Sequence, residues 1–90
     1  QIQSAAELYS PESGRVLEVL TTQPGVQIYT GNWLEGCPEG KDGHIYHDYD
    51  GVAIECQHYP DSPNEPSYPT TVLRPGEVFE QAIIFAFSVR

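Results

Sequence analysis

Hydrophobic and polar residues alternate along this chain over short stretches that glycine and proline interrupt. No window keeps a helical period for more than a turn or two, whereas several repeat their hydrophobic residues at every second position, which is typical of β-strands. The pattern predicts strands over segments 5–9, 15–22, 26–30, 51–59 and 78–89, with a shorter extended stretch at 70–73. Ser10–Gly14 is a turn-rich connector of hairpin length between the first two strands. We therefore expect an all-β protein.

The last predicted strand, Val78–Val89, is apolar on both of its faces. A strand that is covered on both sides belongs inside layered sheets, so this pattern favours a large antiparallel β-sandwich. A chain of 90 residues buries only about 60–65% of its unfolded surface. We expect the complete sandwich to need more protein than this segment supplies.

The strand predicted at Gly51–Tyr59 carries the most informative acid of the chain. Alternation places Glu55 on one face with Gln57 and Tyr59, and the strand then breaks into a proline-rich loop at 60–69. A carboxylate that is partly shielded from water at a strand end is suited to act as a general base. The alternative is that Glu55 only marks the solvated face of a half-buried strand.

The three histidines raise the question of a metal site. His44 and His47 stand beside Asp48 and Asp50 in a polar segment, but no third strong ligand has a fixed spacing, and Asp-Tyr-Asp-Gly is shorter than a calcium-loop signature. We expect these residues to be solvated and expect no metal. By alternation, His58 lies on the face opposite Glu55.

Composition excludes several classes of partner. Thirteen acidic residues against four basic ones give a formal net charge of −9 without a cluster of Lys or Arg, so nucleic acid and anionic membranes are poor partners. No apolar run approaches the roughly 20 residues of a membrane span. Cys37 and Cys56 have neither C-x-x-C spacing nor the number needed for a disulfide framework. We expect both to be free thiols, which favours a cytoplasmic protein.

Several blocks of the sequence, in order, resemble one enzyme family. Segment 51–64, followed by Pro66, Tyr68-Pro69 and the block 73–77 (Leu-Arg-Pro-Gly-Glu), is similar to the carboxyl-terminal signature of the aldose 1-epimerases, the galactose mutarotases. Blocks 22–32 and 9–19 also resemble that family in order and spacing. The resemblance covers nearly the whole chain. It departs at Cys56, where a hydroxyl residue is frequent, and at Trp33 and Tyr68, where phenylalanine is common.

The resemblance implies a fold, an activity and two site residues. The family forms a galactose mutarotase-like supersandwich and interconverts the α and β anomers of hexoses such as galactose and glucose. Glu55 matches the family's general base, and Gln27 matches a glutamine that binds the sugar. The family's acid histidine and its other sugar-binding residues belong to earlier segments, and the chemistry needs no cofactor.

The resemblance also predicts that residues 1–90 are the carboxyl-terminal segment of one larger domain. The chain starts at Gln1 and contains no methionine, so we expect that Gln1 is not a native start of translation. Because these residues would form only part of a sandwich, we expect them to need the upstream segment of the same protein, or another copy, to complete the fold. Three alternatives stay open: a noncatalytic carbohydrate-binding β module, a structural or regulatory remnant that assembles through open sheet edges, and a hexose-phosphate epimerase. The last of these needs a cationic phosphate cradle, which three arginines and one lysine do not form.

Overall fold

The first two strands form an antiparallel hairpin. In the computed structural model, which describes residues 1–90, β1 (Gln3–Tyr9) pairs with β2 (Arg15–Thr21). The turn is closed by a hydrogen bond from the Ser10 amide to the Arg15 carbonyl oxygen at 3.0 Å, and Gly14 adopts a φ of 76° there. Glycine takes up that left-handed conformation without steric cost. The hairpin predicted from the sequence is confirmed.

The last strand, β5 (Ile83–Val89), pairs antiparallel with β2 and completes a sheet of order β1-β2-β5. It begins later than the predicted Val78, so that boundary was wrong. The ladder ends at the pair Thr21↔Ile83 because β2 ends at Thr21. Residues 78–82 therefore have no partner strand, and residues 70–73 are in no strand either.

A second, two-stranded sheet carries the candidate site. β3 (Gly25–Tyr29) pairs antiparallel with β4 (Ala53–Gln57), and the connection between them contains a 3₁₀ turn at Lys41–Gly43. β4 is shorter than the predicted strand 51–59. Its ladder ends at the pair Gly25↔Gln57, and the residue before Gly25 is a proline, which has no N–H to extend the ladder.

Little of the chain is buried. The buried hydrophobic residues are Val16 and Val19, both on β2. On β5, by contrast, Phe87 is 76% exposed and Val89 is 78% exposed. The predicted strand with apolar residues on both faces is present, but residues 1–90 cover neither of these faces.

The all-β prediction is confirmed. Apart from strands, the chain contains only two 3₁₀ turns, at Lys41–Gly43 and Ser62–Asn64, and its two antiparallel sheets fit the β-sandwich expected for the family. None of its helical segments is long and apolar enough to cross a membrane.

Candidate functional site

The β3–β4 pair has one polar face and one apolar face. Gln27 is directly opposite Glu55, and Tyr29 is directly opposite Ala53. Residues that face each other across an antiparallel pair project from the same side of the sheet, and alternation sends their neighbours to the other side. The polar face therefore contains Gln27, Glu55 and Gln57, while the opposite face contains Val26, Ile28, Ile54 and Cys56.

The two predicted site residues are thus brought together by the sheet register. Directly opposed residues have Cβ atoms about 4.5–5.5 Å apart, so the carboxylate of Glu55 and the amide of Gln27 reach the same small volume above the sheet. Both side chains are exposed. The shielding expected for Glu55 is not supplied by residues 1–90.

A hydrogen bond between amides organises this polar face. Gln57 Nε2 donates to Gln27 Oε1 at 2.6 Å. The Glu55 carboxylate makes no hydrogen bond and no ion pair with any other residue of the chain. Its carboxylate oxygens are therefore free to accept a proton or a hydrogen bond from a ligand.

Two tyrosines bound one end of the polar face. Tyr59 follows Glu55 and Gln57 on the same side of the chain, and its ring lies against Gly25, where an added Cβ would be 2.8 Å from a ring carbon. The rings of Tyr59 and Tyr68 meet edge to face with their centroids 5.1 Å apart, an arrangement favoured by the ring quadrupoles. The contact of Tyr59 with Gly25 joins the loop that follows β4 to the start of β3.

The segment that connects β3 to β4 holds itself together by local hydrogen bonds. His47 Nδ1 lies 3.0 Å from Glu35 Oε1. Asp48 accepts from the Glu35 amide and Asp50 accepts from the His47 amide, both at 2.8 Å. These two aspartates are thus bonded to different backbone N–H groups. No group of three or more His, Cys, Asp or Glu side chains in residues 1–90 is arranged to hold a metal ion.

The other polar residues of the resembling blocks form turns. Asn64 Nδ2 donates to Asp61 Oδ1 at 2.6 Å, and Asp61 adopts the left-handed conformation with a φ of 65°. The Glu77 carboxylate accepts from the Arg74 amide at 2.6 Å. The Arg74 guanidinium is in neither of the two ion pairs of the chain. Neither turn forms a side-chain hydrogen bond with a residue of the polar face of the β3–β4 pair.

Sequence reasoning placed Gln57 on the face of Glu55 but did not identify it as a site residue. The alternation of residues in β4 was sufficient to predict that Gln57 and Glu55 share a face. It could not predict the contact of Gln57 with Gln27, because the alternation within one strand does not define which residues of two strands are opposite each other. The register supplies that information.

Comparison with known proteins decides the family. The sequence profile of the aldose 1-epimerase family matches residues 2–86. The chain belongs to this family. It is 50% identical over 84 residues to a galactose mutarotase of Homo sapiens, 53% identical over 77 residues to one of Mus musculus, and 39% identical over 85 residues to an aldose 1-epimerase of Escherichia coli.

The aldose 1-epimerases it matches are much longer. The three alignments cover 93%, 86% and 92% of this chain, but only 25%, 22% and 24% of the respective relatives. The chain thus spans about a quarter of the length of these curated relatives, and it corresponds to their carboxyl-terminal part.

Both cysteines are free, as expected, with Cys37 exposed and Cys56 half-buried.

Proposed function

We propose that the protein containing these residues is an aldose 1-epimerase that interconverts the α and β anomers of an aldohexose such as galactose or glucose. One observation carries the proposal: in a chain of this family, the register of β3 and β4 places Gln27 directly opposite Glu55 on an exposed polar face. A carboxylate that is free of protein partners has the chemistry of a general base, and an amide beside it both donates to and accepts from hydroxyl groups.

The reaction needs two groups that transfer protons, a base and an acid, and involves no net change in composition. Glu55 removes the proton of the anomeric hydroxyl while an acid protonates the ring oxygen, so the bond between C1 and the ring oxygen breaks and an open-chain aldehyde forms. Rotation about the bond between C1 and C2 presents the other face of the carbonyl. The ring oxygen then attacks that face, Glu55 returns its proton to the carbonyl oxygen, and the acid recovers its own. This acid–base chemistry requires no metal or organic cofactor.

We assign the general acid to a part of the protein outside residues 1–90. His47 is bonded to Glu35, and neither His44 nor His58 forms a hydrogen bond or an ion pair with Glu55. The shallow depressions on the surface of the chain are lined by neither Glu55 nor Gln27. A closed sugar pocket around these two residues therefore needs walls from another segment.

We further propose that residues 1–90 form the carboxyl-terminal segment of a single β-sandwich domain. The exposed apolar side chains of β5 support this proposal, because a strand with two apolar faces is stable when layers cover both. The missing layers come from the upstream segment of the same protein or from another copy. Two free thiols are expected in a reducing compartment, so we place the activity in the cytoplasm.

Polarimetry on the complete protein tests the function. The freshly dissolved α anomer of galactose or glucose should reach its equilibrium rotation faster with the protein than without it. In parallel, calorimetry with 1,5-anhydro-D-galactitol, which lacks the anomeric hydroxyl and so does not ring-open, measures sugar binding alone. Binding without turnover would replace the enzyme by a carbohydrate-binding module, and the absence of both would overturn the proposal.

A preference for a hexose phosphate over the free sugar would indicate that the protein is a hexose-phosphate epimerase. The chain gives no support for it. Arg15 and Arg90 lie at the same end of the β2–β5 pair, but Arg90 is paired with Glu7, and Lys41 and Arg74 lie in two other loops. A phosphate would need several of them at one point.

A further inference from the structure

We propose that Gln57 is a positioning residue for sugar binding, which holds the side-chain amide of Gln27 so that its N–H groups are presented to the ligand. The inference rests on the proposed function, because it takes Gln27 as a sugar contact. It adds a residue that acts through Gln27 and defines which end of the Gln27 amide meets the sugar.

The hydrogen bond between the two amides carries the argument. Gln57 Nε2 donates to Gln27 Oε1 at 2.6 Å, which occupies the oxygen of Gln27. The Gln27 side chain makes no other hydrogen bond within residues 1–90. An amide carries one acceptor oxygen and one NH₂ group with two donors. With its oxygen already bonded, Gln27 presents its two N–H donors, which suit the oxygen atoms of a sugar.

Burial and register explain why Gln57 is the fixed partner. Gln57 is half-buried whereas Gln27 is exposed, so Gln57 loses less freedom when it makes the bond. Gln57 lies opposite Gly25, two pairs along the ladder from Gln27↔Glu55 and therefore on the same face of the sheet. The diagonal distance in an antiparallel pair, about 7–8 Å between Cα atoms, is within reach of two long side chains. The ring of Tyr59 against Gly25 bounds the same end of the face.

An unrestrained glutamine would bind less well. A long, exposed side chain samples several rotamers and both orientations of its amide, and a ligand that needs one of them must order it. A bond to Gln57 made before the sugar arrives removes part of that cost. Its loss should therefore weaken binding through Gln27 and leave the proton transfers at Glu55 largely intact.

The chain offers a matched control. Gln23 Nε2 donates to Gln81 Oε1 in a second pair of amides, and Gln23 is half-buried like Gln57. This pair connects the end of β2 with the residues before β5, and neither of its side chains forms a hydrogen bond with Gln27, Glu55 or Gln57. The substitution Gln23→Met removes the same kind of donor as Gln57→Met, with a similar change in volume and no change in charge.

A double-mutant cycle in the complete protein tests the proposal. Affinity for 1,5-anhydro-D-galactitol is measured by calorimetry for wild type, Gln57→Met, Gln27→Ala and the double variant. Gln57→Met should weaken binding about three- to tenfold on the wild-type background and have no further effect on the Gln27→Ala background. Gln23→Met should leave affinity unchanged. Equal losses on both backgrounds, or no loss on either, would overturn the proposal, and a lowered melting temperature alone would indicate a structural role.

Two further measurements make the test specific. In polarimetry, Gln57→Met should raise KM by a similar factor while kcat changes by less than twofold; a loss in kcat alone would contradict positioning. Gln57→Glu places an acceptor where the donor stands and should also weaken binding of this neutral ligand. Tighter binding by that variant would show that Gln27 donates to residue 57, the reverse of the proposed orientation. Failure of the proposed enzyme function is distinguishable, because it would appear as wild-type protein that binds the sugar without turning it over.

Discussion

Gln27 lies directly opposite Glu55 in the β3–β4 pair, so an amide and a carboxylate that are far apart in sequence share one exposed face of a sheet. The expected effects of substitution follow from that arrangement, because changes on an exposed face alter ligand chemistry more than they alter the fold.

Replacement of Glu55 by Gln should lower the rate of mutarotation by the complete protein by about 10²- to 10⁴-fold, which is the usual contribution of a positioned base. The amide keeps the shape of the side chain but does not accept the proton. Because the Glu55 side chain is exposed and forms no hydrogen bond or ion pair with another residue of the chain, the melting temperature should change little. Polarimetry on an anomerically pure aldose, with circular dichroism for the fold, provides the measurement.

Glu12→Gln is the control for that experiment. It makes the same chemical change on an exposed glutamate in the β1–β2 turn and should leave the rate unaltered. A Glu55→Gln protein that turned over sugar at a near-normal rate would remove Glu55 from the mechanism and favour a binding module.

Replacement of Gln27 by Ala should raise KM more than it lowers kcat. A contact that is equally strong in the ground state and in the transition state contributes to binding and not to the chemical step. Steady-state polarimetry over a range of sugar concentrations separates the two constants. Gln81→Ala, which removes the acceptor of the other amide pair, is the matched control. Equal losses in kcat and kcat/KM would show that Gln27 acts only in the transition state.

Gly25→Ala should destabilise the complete protein by about 1–3 kcal/mol, as overpacking does. The new methyl group would lie 2.8 Å from the ring of Tyr59, so the ring must move away and its contact with Tyr68 is disturbed. Denaturant unfolding measures the change. Gly51→Ala places its methyl group in open space and should be neutral or stabilise by up to about 1 kcal/mol through the unfolded state. Similar values for the two variants would rule out the close approach of Tyr59.

The isolated chain of residues 1–90 should neither catalyse mutarotation nor persist as a well-folded monomer. Its buried hydrophobic core consists of Val16 and Val19, while the apolar side chains of β5 are exposed. Exposed apolar faces and open sheet edges favour association. Sedimentation and polarimetry on the isolated chain provide the measurement.

Addition of the upstream segment is the complementary experiment and should restore both a defined assembly and activity. A compact monomer with full turnover would contradict the prediction. It would also return His44, His47 and His58 to the list of candidates for the general acid.

The sequence predicted the strands well and their ends less well. Alternation identified the β1–β2 hairpin and β3, because each residue's face depends only on its own strand. The start of β5 at Ile83 was missed, because a strand extends only as far as its partner, and the pairing of Ile83 with Thr21 is visible only in the sheet. The candidate site residues Glu55 and Gln27 came from the family resemblance, whereas their pairing needed the register.

The pairing of β2 with β5 also has a consequence for the order of folding. At the end of this pair, the Thr22 amide donates to the Ala82 carbonyl oxygen at 3.1 Å, and the Ala82 amide donates to Thr22 Oγ1 at 3.0 Å. These two residues are 60 positions apart along the chain. Closing so long a loop costs on the order of 2 kcal/mol more conformational free energy than closing the short connector of the β1–β2 hairpin. The hairpin is therefore the favoured nucleus, and β5 joins late. Until β5 pairs with β2, the segment between these two strands, which carries Gln27 and Glu55, is connected to the hairpin only through the end of β2.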